Sequence, residues 1–336
     1  MSRPPTSCLN REPIFSQKSP WRNIWHEMDH AAVIQVAIGD FRQEGHKEPR
    51  PAAARAPLTP DRPLRHDRRM QRLISAGSTD AIQELAGRLV RAERQRVPIP
   101  APSAWLPGLS VEEAYEIQDA IVGRRLEGGE LIVGWKIGLT SSDAQDQFEA
   151  DEPDRAPILS DRLVRDGDRI LLDELIQPRV VAGIAVEFGR PFAGPGMTGA
   201  DVLPYATGLR AAIEVLDSRI EEWRIRLPDT IADMASSARL VVGDALIPPD
   251  GIDPRRLGVA LERNGKGIAT GTGSAVLGDP LKAVAWLANV LGRMRQDIEV
   301  GHIVMTGALH ASVPAARGDT FRAFFDRLGS VSVSFV

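Results

Sequence analysis

A chain of 336 residues with 43% hydrophobic content is long enough to bury one large core or two ordinary ones. Its net charge of −4 gives no global attraction to nucleic acid or to an anionic membrane, so a small soluble substrate or a protein partner is the expected ligand. The single cysteine, Cys8, excludes a disulfide framework and a cysteine-built metal site, and a reducing, cytoplasmic setting fits.

Residues 1–70 are dense in Pro, Arg and His, with Pro49, Pro51, Pro57, Pro60 and Pro63 close together and His26, His30, His46 and His66 among them. No sustained period appears. Such a segment cannot bury enough apolar surface to offset its ordering entropy, so a disordered N-terminal extension over 1–70 and one domain over 71–336 are expected. A basic tail that docks on a partner is the functional alternative, and Met70 stands as an alternative start of the chain. The apolar run from Ala31 to Gly39 contains Gln35, is far too short to span a bilayer and lacks a secretory signal pattern.

Order is expected from the Ser78-Thr79-Asp80 cap cluster onward. Ile82, Leu85, Leu89 and Val90 recur at helical spacing over Ala81 to Glu93. A second helix starts at Ser110, with Glu113 completing a capping box, and runs to Gly123 or Arg125. Short apolar runs then predict strands at Leu131 to Gly134, Arg169 to Leu172, Val180 to Phe188, Ala212 to Leu216, Leu240 to Val242, Val259 to Glu262, His302 to Met305 and Val331 to Val336. Helices are predicted at Gly199 to Leu209 and at Pro280 to Met294, the latter with Val284, Leu287, Leu291 and Met294 on one face. The expected class is therefore α/β, with a mixed, curled sheet and flanking helices.

In Gln177 to Phe188, period two places Val180, Ala182, Ile184, Val186 and Phe188 on one face and Val181, Gly183, Ala185 and Glu187 on the other. The first face is core. The second is small and open, which suits either an approaching ligand or a closely packed neighbour.

A series of motifs occurs in order: Gly134-Trp-Lys136-Ile-Gly138-Leu-Thr140, Asp151-Glu-Pro-Asp154, Gln177-Pro-Arg179, Ile213-Glu214-Val-Leu-Asp217-Ser-Arg219, Asp229-Thr-Ile-Ala-Asp233 with Ala235-Ser-Ser237, Ala275-Val-Leu-Gly278, Ala285-Trp-Leu-Ala-Asn289, Met305-Thr-Gly307 and Gly329-Ser-Val-Ser-Val333. Together they resemble the 2-keto-4-pentenoate hydratase and 4-oxalocrotonate decarboxylase family, which shares the fumarylacetoacetate hydrolase fold. The resemblance covers about Ala81 to the C-terminus. It implies a homo-oligomer, with a related decarboxylase or hydratase as a further possible partner, acting on a small 2-oxo or 2-hydroxy alkenoate acid in aromatic breakdown. The implied reaction is hydration of 2-hydroxypenta-2,4-dienoate to 4-hydroxy-2-oxopentanoate. A 4-oxalocrotonate decarboxylase or a non-catalytic subunit of the same fold is the alternative.

The same resemblance implies a cofactor, Mg2+ or Mn2+, held by three glutamates, a hard-oxygen set that suits such ions. Here the correspondence breaks. The family strand reads Arg-Val-Glu-Ala-Glu-Ile-Ala, whereas this chain has Arg179-Val-Val181-Ala-Gly183-Ile-Ala185. Two ligand positions are lost, and Glu214 is the surviving metal candidate; an ion pair with Arg179 or Arg219 is its other reading. The resemblance assigns Lys136 and Asp154 as the catalytic pair, Asp154 as general base, and Leu139, Thr306 and Gly307 as substrate-binding. His310 is read as a supporting or solvent-facing histidine, with general acid as the alternative.

Overall fold

A computed structural model of the protein describes residues 78–336; the extension expected over 1–70 lies outside the described residues. The strand β5 (Arg179–Phe188) is central because its residues are buried on both faces. It pairs antiparallel with β6 (Ala206–Leu216) on one side and β10 (Ile303–Ala308) on the other. With β1 (Ile132–Gly138), β2 (Asp154–Leu159), β3 (Leu163–Arg165) and β7 (Ser237–Val242), these strands form a sheet ordered β2-β1-β10-β5-β6-β7-β3, and the short β11 (Val313–Pro314) also pairs with β5. A second, five-stranded sheet runs β4 (Arg169–Ile170), β13 (Gly329–Phe335), β12 (Thr320–Phe325), β8 (Gly258–Arg263), β9 (Lys266–Thr272). Parallel and antiparallel pairs occur in both sheets, giving the expected mixed α/β fold.

Val180, Ala182, Ile184, Val186 and Phe188 join Phe321, Val331, Val333 and Phe335 of the second sheet in the main core. Full burial of each such aliphatic or aromatic side chain is worth about 1.5–3 kcal/mol. The helix α5 (Pro280–Arg293) closes this core with Val284, Leu287 and Leu291, and Asp279 caps it by accepting from the Leu281 N–H (2.9 Å). Met294, expected on the same face, stands instead at the exposed C-cap.

The helices α1 (Ser78–Gln95) and α2 (Val111–Glu127) form a second core with Ile231 and Ala232 of the short α4 (Leu227–Ala232), α3 being Ser142–Phe148. The capping box at α2 forms as expected: Ser110 Oγ accepts from Glu113 N (3.1 Å), and Glu113 accepts from Ser110 N (3.0 Å). Between this helical layer and the larger sheet lies the face carrying Val181, Gly183, Ala185 and Glu214.

One predicted element differs in kind. The helix expected over Gly199 to Leu209 is a single helical turn, Gly199–Val202, followed by a 3-10 turn at Leu203–Tyr205, and the chain is already strand from Ala206. Pro204 lies in that 3-10 turn, and the cross-strand partner β5 draws the small residues after it into the sheet. Among the described residues, β2, β3, β9, β11 and β12 form where the sequence pattern predicts no strand.

Candidate active site

Three charged side chains from three strands meet on the helix-covered face. Val181 faces Glu214 across β5 and β6, and Gly138 faces Asp154 across β1 and β2. Lys136, two residues before Gly138, reaches between them. Its Nζ lies 3.4 Å from Glu214 Oε1 and donates to the Ala235 carbonyl at 2.7 Å. Lys136, Asp154 and Glu214 are 5%, 2% and 3% exposed, so none is an ordinary surface charge.

The acceptor for Lys136 is held by an unusual turn. Met234, Ala235 and Ser236 all have positive φ (57°, 49° and 55°), a conformation that costs non-glycine residues roughly 1–2 kcal/mol each. Asp233, at the start of the turn, anchors it: its carboxylate accepts from Ser218 Oγ and Arg219 N, both at 3.0 Å, and from the Arg219 guanidinium, which also donates to the Asp233 carbonyl. Asp229, a turn of helix earlier, accepts from Ser103 N, Ser103 Oγ and Arg226 N. The Asp229 to Ser237 motif therefore builds the backbone that orients Lys136. Burial pushes Asp233 up to about 6 against the pull of Arg219.

Burial raises the pKa of Asp154, opposed by the Lys136 ammonium and the Gly138 N–H. Burial likewise raises Glu214, again opposed first by Lys136. Among the described residues, Asp154 Oδ1 and Glu214 Oε1 are buried with no hydrogen-bond donor; at 3.4 Å Lys136 neutralises Glu214 without a close bond to Oε1. Two under-satisfied carboxylates around one ammonium form a costly arrangement for stability alone and a suitable one for moving protons. Glu214 thus pairs with Lys136, and neither expected arginine takes that role: Arg219 binds Asp233, and Arg179 lies over the Trp223 ring at 5.5 Å.

The two lost ligand positions are filled. A Cβ at Gly183 would come 2.1 Å from Met305 Cε and 2.5 Å from the Gly307 carbonyl oxygen. Met305 is fully buried among Ile158, Ala185, Ala212 and Leu240. Among the described residues no group of three or more His, Cys, Asp or Glu could hold a metal ion. Mg2+ and Mn2+ take about six oxygen ligands, whereas this set offers one glutamate already paired with an ammonium, a second carboxylate and a thioether. The residues present do not fit the divalent cation implied by the resemblance.

The remaining expected residues are placed as follows. The Thr306 hydroxyl donates to the Ile184 carbonyl (3.0 Å), so it points away from Lys136, while Met305 and Gly307 take the site face. Gly307 has φ 137° and packs on Thr140, whose Oγ1 would lie 2.3 Å from a Cβ there. Leu139 has φ 53°, and its carbonyl accepts from Gln145 Nε2 (3.0 Å). His310 Nε2 accepts from the Ala182 N–H (3.0 Å) and Nδ1 meets the Ala311 carbonyl (2.8 Å), so the ring replaces a strand residue where β10 gives way to β11. Glu187 pairs with Arg210 at 2.8 Å. Sequence reasoning missed Met305 as a site residue, although it precedes Thr306-Gly307 and alternation turns it opposite to Thr306.

The fold and this centre define an α/β protein with buried acid–base side chains on the helix-covered face of a mixed sheet. Residues 144–336 match the model of the fumarylacetoacetate (FAA) hydrolase C-terminal family. The chain is 37% identical over 262 residues to the TodF product hydratase of Pseudomonas putida F1, covering 78% of this chain and 98% of that relative. It is also 37% identical over 257 residues to a 4-oxalocrotonate decarboxylase of Pseudomonas putida, covering 76% and 97%. The solved 4-oxalocrotonate decarboxylase from Pseudomonas putida G7, complexed with magnesium and adipate, superposes with a TM-score of 0.74 at 35% identity, covering 76% of this chain and 97% of that one. The chain belongs to the FAA hydrolase superfamily, with the 2-keto-4-pentenoate hydratases and 4-oxalocrotonate decarboxylases. No helix among the described residues is long and apolar enough to cross a membrane.

Proposed function

We propose that this chain acts on a small 2-hydroxy or 2-oxo alkenoate acid and catalyses the proton transfer shared by the hydratases and decarboxylases, without a glutamate-held divalent cation. The observation that carries this reading is the buried Lys136–Glu214–Asp154 cluster with its two unsatisfied carboxylate oxygens. Ketonisation of a 2-hydroxy-2,4-dienoate moves the 2-hydroxyl proton to a base while a proton from solvent is added at C5, the far end of the diene. Asp154 takes the hydroxyl proton, and the Lys136 ammonium stabilises charge growing on the 2-oxygen. Glu214 holds the Lys136 ammonium in place. Addition of water at C4 of the resulting 2-oxo-alkenoate completes a hydratase; in a dioate substrate, loss of the far carboxylate as carbon dioxide, its bonding electrons passing through the alkene to the 2-oxygen, completes a decarboxylase, and hydration of 2-hydroxypenta-2,4-dienoate is the first reaction to assay. In this reading the enzyme works as a homo-oligomer.

A second reading is supported by the packing of Met305 against Gly183: a non-catalytic subunit serving beside an active hydratase or decarboxylase. One assay separates them. Consumption of freshly made 2-hydroxypenta-2,4-dienoate is followed by ultraviolet absorbance with EDTA and with Mn2+. Turnover that persists in EDTA and disappears in Asp154→Asn is expected. Turnover only with Mn2+ overturns the cation-free assignment, and no turnover in either condition leaves the subunit reading.

A further inference from the structure

Outside the buried centre, a cleft of about 660 Å3 opens at the start of β5, lined by Arg96, Arg179, Arg317 and Trp223 together with apolar walls such as Leu172 and Pro314. We propose that this cleft is a second binding site, for a small unsaturated carboxylic acid.

Three features support the assignment. First, the lining carries three arginines against one acid, Asp173, which pairs with Arg317 at 2.5 Å. Arg179 and Arg96 add positive charge that no carboxylate of the cleft neutralises. Second, Arg179 Nε is buried and has no hydrogen-bond partner among the described residues. A guanidinium is a planar fork of donors matched to a carboxylate, so an acid entering the cleft would supply the missing acceptor. Third, the Trp223 indole lies against that guanidinium at 5.5 Å and is fixed by its own Nε1–H, which donates to the Gln177 carbonyl at 3.2 Å. An indole beside leucine and proline walls favours a flat organic chain over an inorganic anion. The cleft volume falls within the range of small-ligand sites.

The position of the cleft gives it a use. Arg179 has the same strand parity as Val181, two residues away, or about 7 Å along β5, and Val181 faces Glu214. An acid held by Arg179 waits beside the centre in which Lys136 and Asp154 are closed off. The proposal concerns binding alone, so it stands or falls separately from any turnover by that centre.

The test is isothermal titration calorimetry on the full chain with sorbate as the probe, 2,4-hexadien-1-ol as its uncharged counterpart and inorganic phosphate as a bare anion. Sorbate is expected to bind, with Arg179→Gln weakening it about tenfold or more and Lys282→Gln, which removes an exposed cation outside the cleft, leaving it within about twofold of the native value. The alcohol and phosphate are each expected to bind at least about tenfold more weakly than sorbate. Sorbate affinity that survives Arg179→Gln unchanged overturns the proposal, because binding then belongs elsewhere on the chain. Phosphate binding as tight as sorbate, or no sorbate binding at all, also overturns it. If Arg179→Gln fails to fold, the double variant Arg96→Gln, Arg317→Gln alters only exposed side chains and decides the matter: weaker sorbate binding supports the site, and unchanged binding refutes it.

Discussion

Adding one methyl group at Gly183 tests whether the lost ligand position is open or filled. The new Cβ would lie 2.1 Å from Met305 Cε and 2.5 Å from the Gly307 oxygen, against the roughly 3.5–4 Å of an unstrained carbon contact. Met305 would have to retreat by about 1.5 Å, and it is fully enclosed by Ile158, Ala185, Ala212 and Leu240. The Gly307 carbonyl is backbone and cannot rotate away. Gly183→Ala should therefore cost about 2–3 kcal/mol, the upper part of the overpacking range. Met305→Ala alone should cost about 2–5 kcal/mol through lost burial and a cavity. Combined, the alanine methyl occupies part of the space vacated by the thioether, so the double variant should be more stable than the sum of the singles by about 1–2 kcal/mol. The assay is urea unfolding followed by tryptophan fluorescence, with slopes checked for constancy. Strict additivity, within about 0.5 kcal/mol, would refute the claim that Met305 fills the position. A functional corollary follows: Val181→Glu with Gly183→Glu should not confer Mn2+ binding until Met305→Ala is added, because the second glutamate has no space.

Lys136→Met leaves Asp154 and Glu214 buried without their cation, and at neutral pH should cost about 3–5 kcal/mol and abolish dienoate turnover. Because both carboxyls have raised pKa values, the stability they contribute is present below the usual carboxylate range and lost as pH rises through those raised values; urea midpoints should show the variant's deficit shrinking as pH falls. Glu93 behaves oppositely: despite burial, Arg162, Arg219 and Arg125 hold it down at about 2, from 4.5, so its contribution is present above 4.5 and lost as pH falls toward 2. That shift corresponds to on the order of 3 kcal/mol, and Glu93→Gln should lose it at pH 7 and flatten the acid limb of the urea-midpoint profile. His310 is pushed below its ordinary 6.5 by burial, so its contribution is present above pH 6.5 and lost as pH falls. His310→Ala should leave the Ala182 N–H unpaired, cost about 1–3 kcal/mol at pH 7.5 and lessen the fall of the unfolding midpoint just below pH 6.5, leaving the carboxylates' part of the profile in place.

The fold was legible where local pattern and tertiary demand agree. Alternation over Val180 to Phe188 gives both the strand and the face that enters the core, because β5 is paired on both sides and cannot slip register without exposing five apolar side chains. Strand β2 was illegible for the converse reason. It lies at the end of the sheet order, where a proline is tolerated, and Arg155 and Pro157 interrupt its apolar run. Arg155 is nonetheless buried, stacked on Tyr115 at 4.6 Å and Trp135 at 5.6 Å, which only the folded neighbours supply.

The candidate site divides in the same way. Lys136, Asp154 and Glu214 are chosen by motif, but their meeting depends on the cross-strand registers of β1 with β2 and β5 with β6, for which no local signal exists. What fills the gap left by two absent glutamates depends on one flexible thioether on a fourth strand. The strained run Met234 to Ser236 makes a further point. Three left-handed residues persist there because Asp233 and Arg219 bind both the side chain and the backbone at its entrance, and the product of that strain is a carbonyl aimed at the Lys136 ammonium. A turn needed only to connect α4 to β7 could relax. Holding it beside under-satisfied carboxylates connects the Asp229 to Ser237 motif to the placing of the Lys136 ammonium.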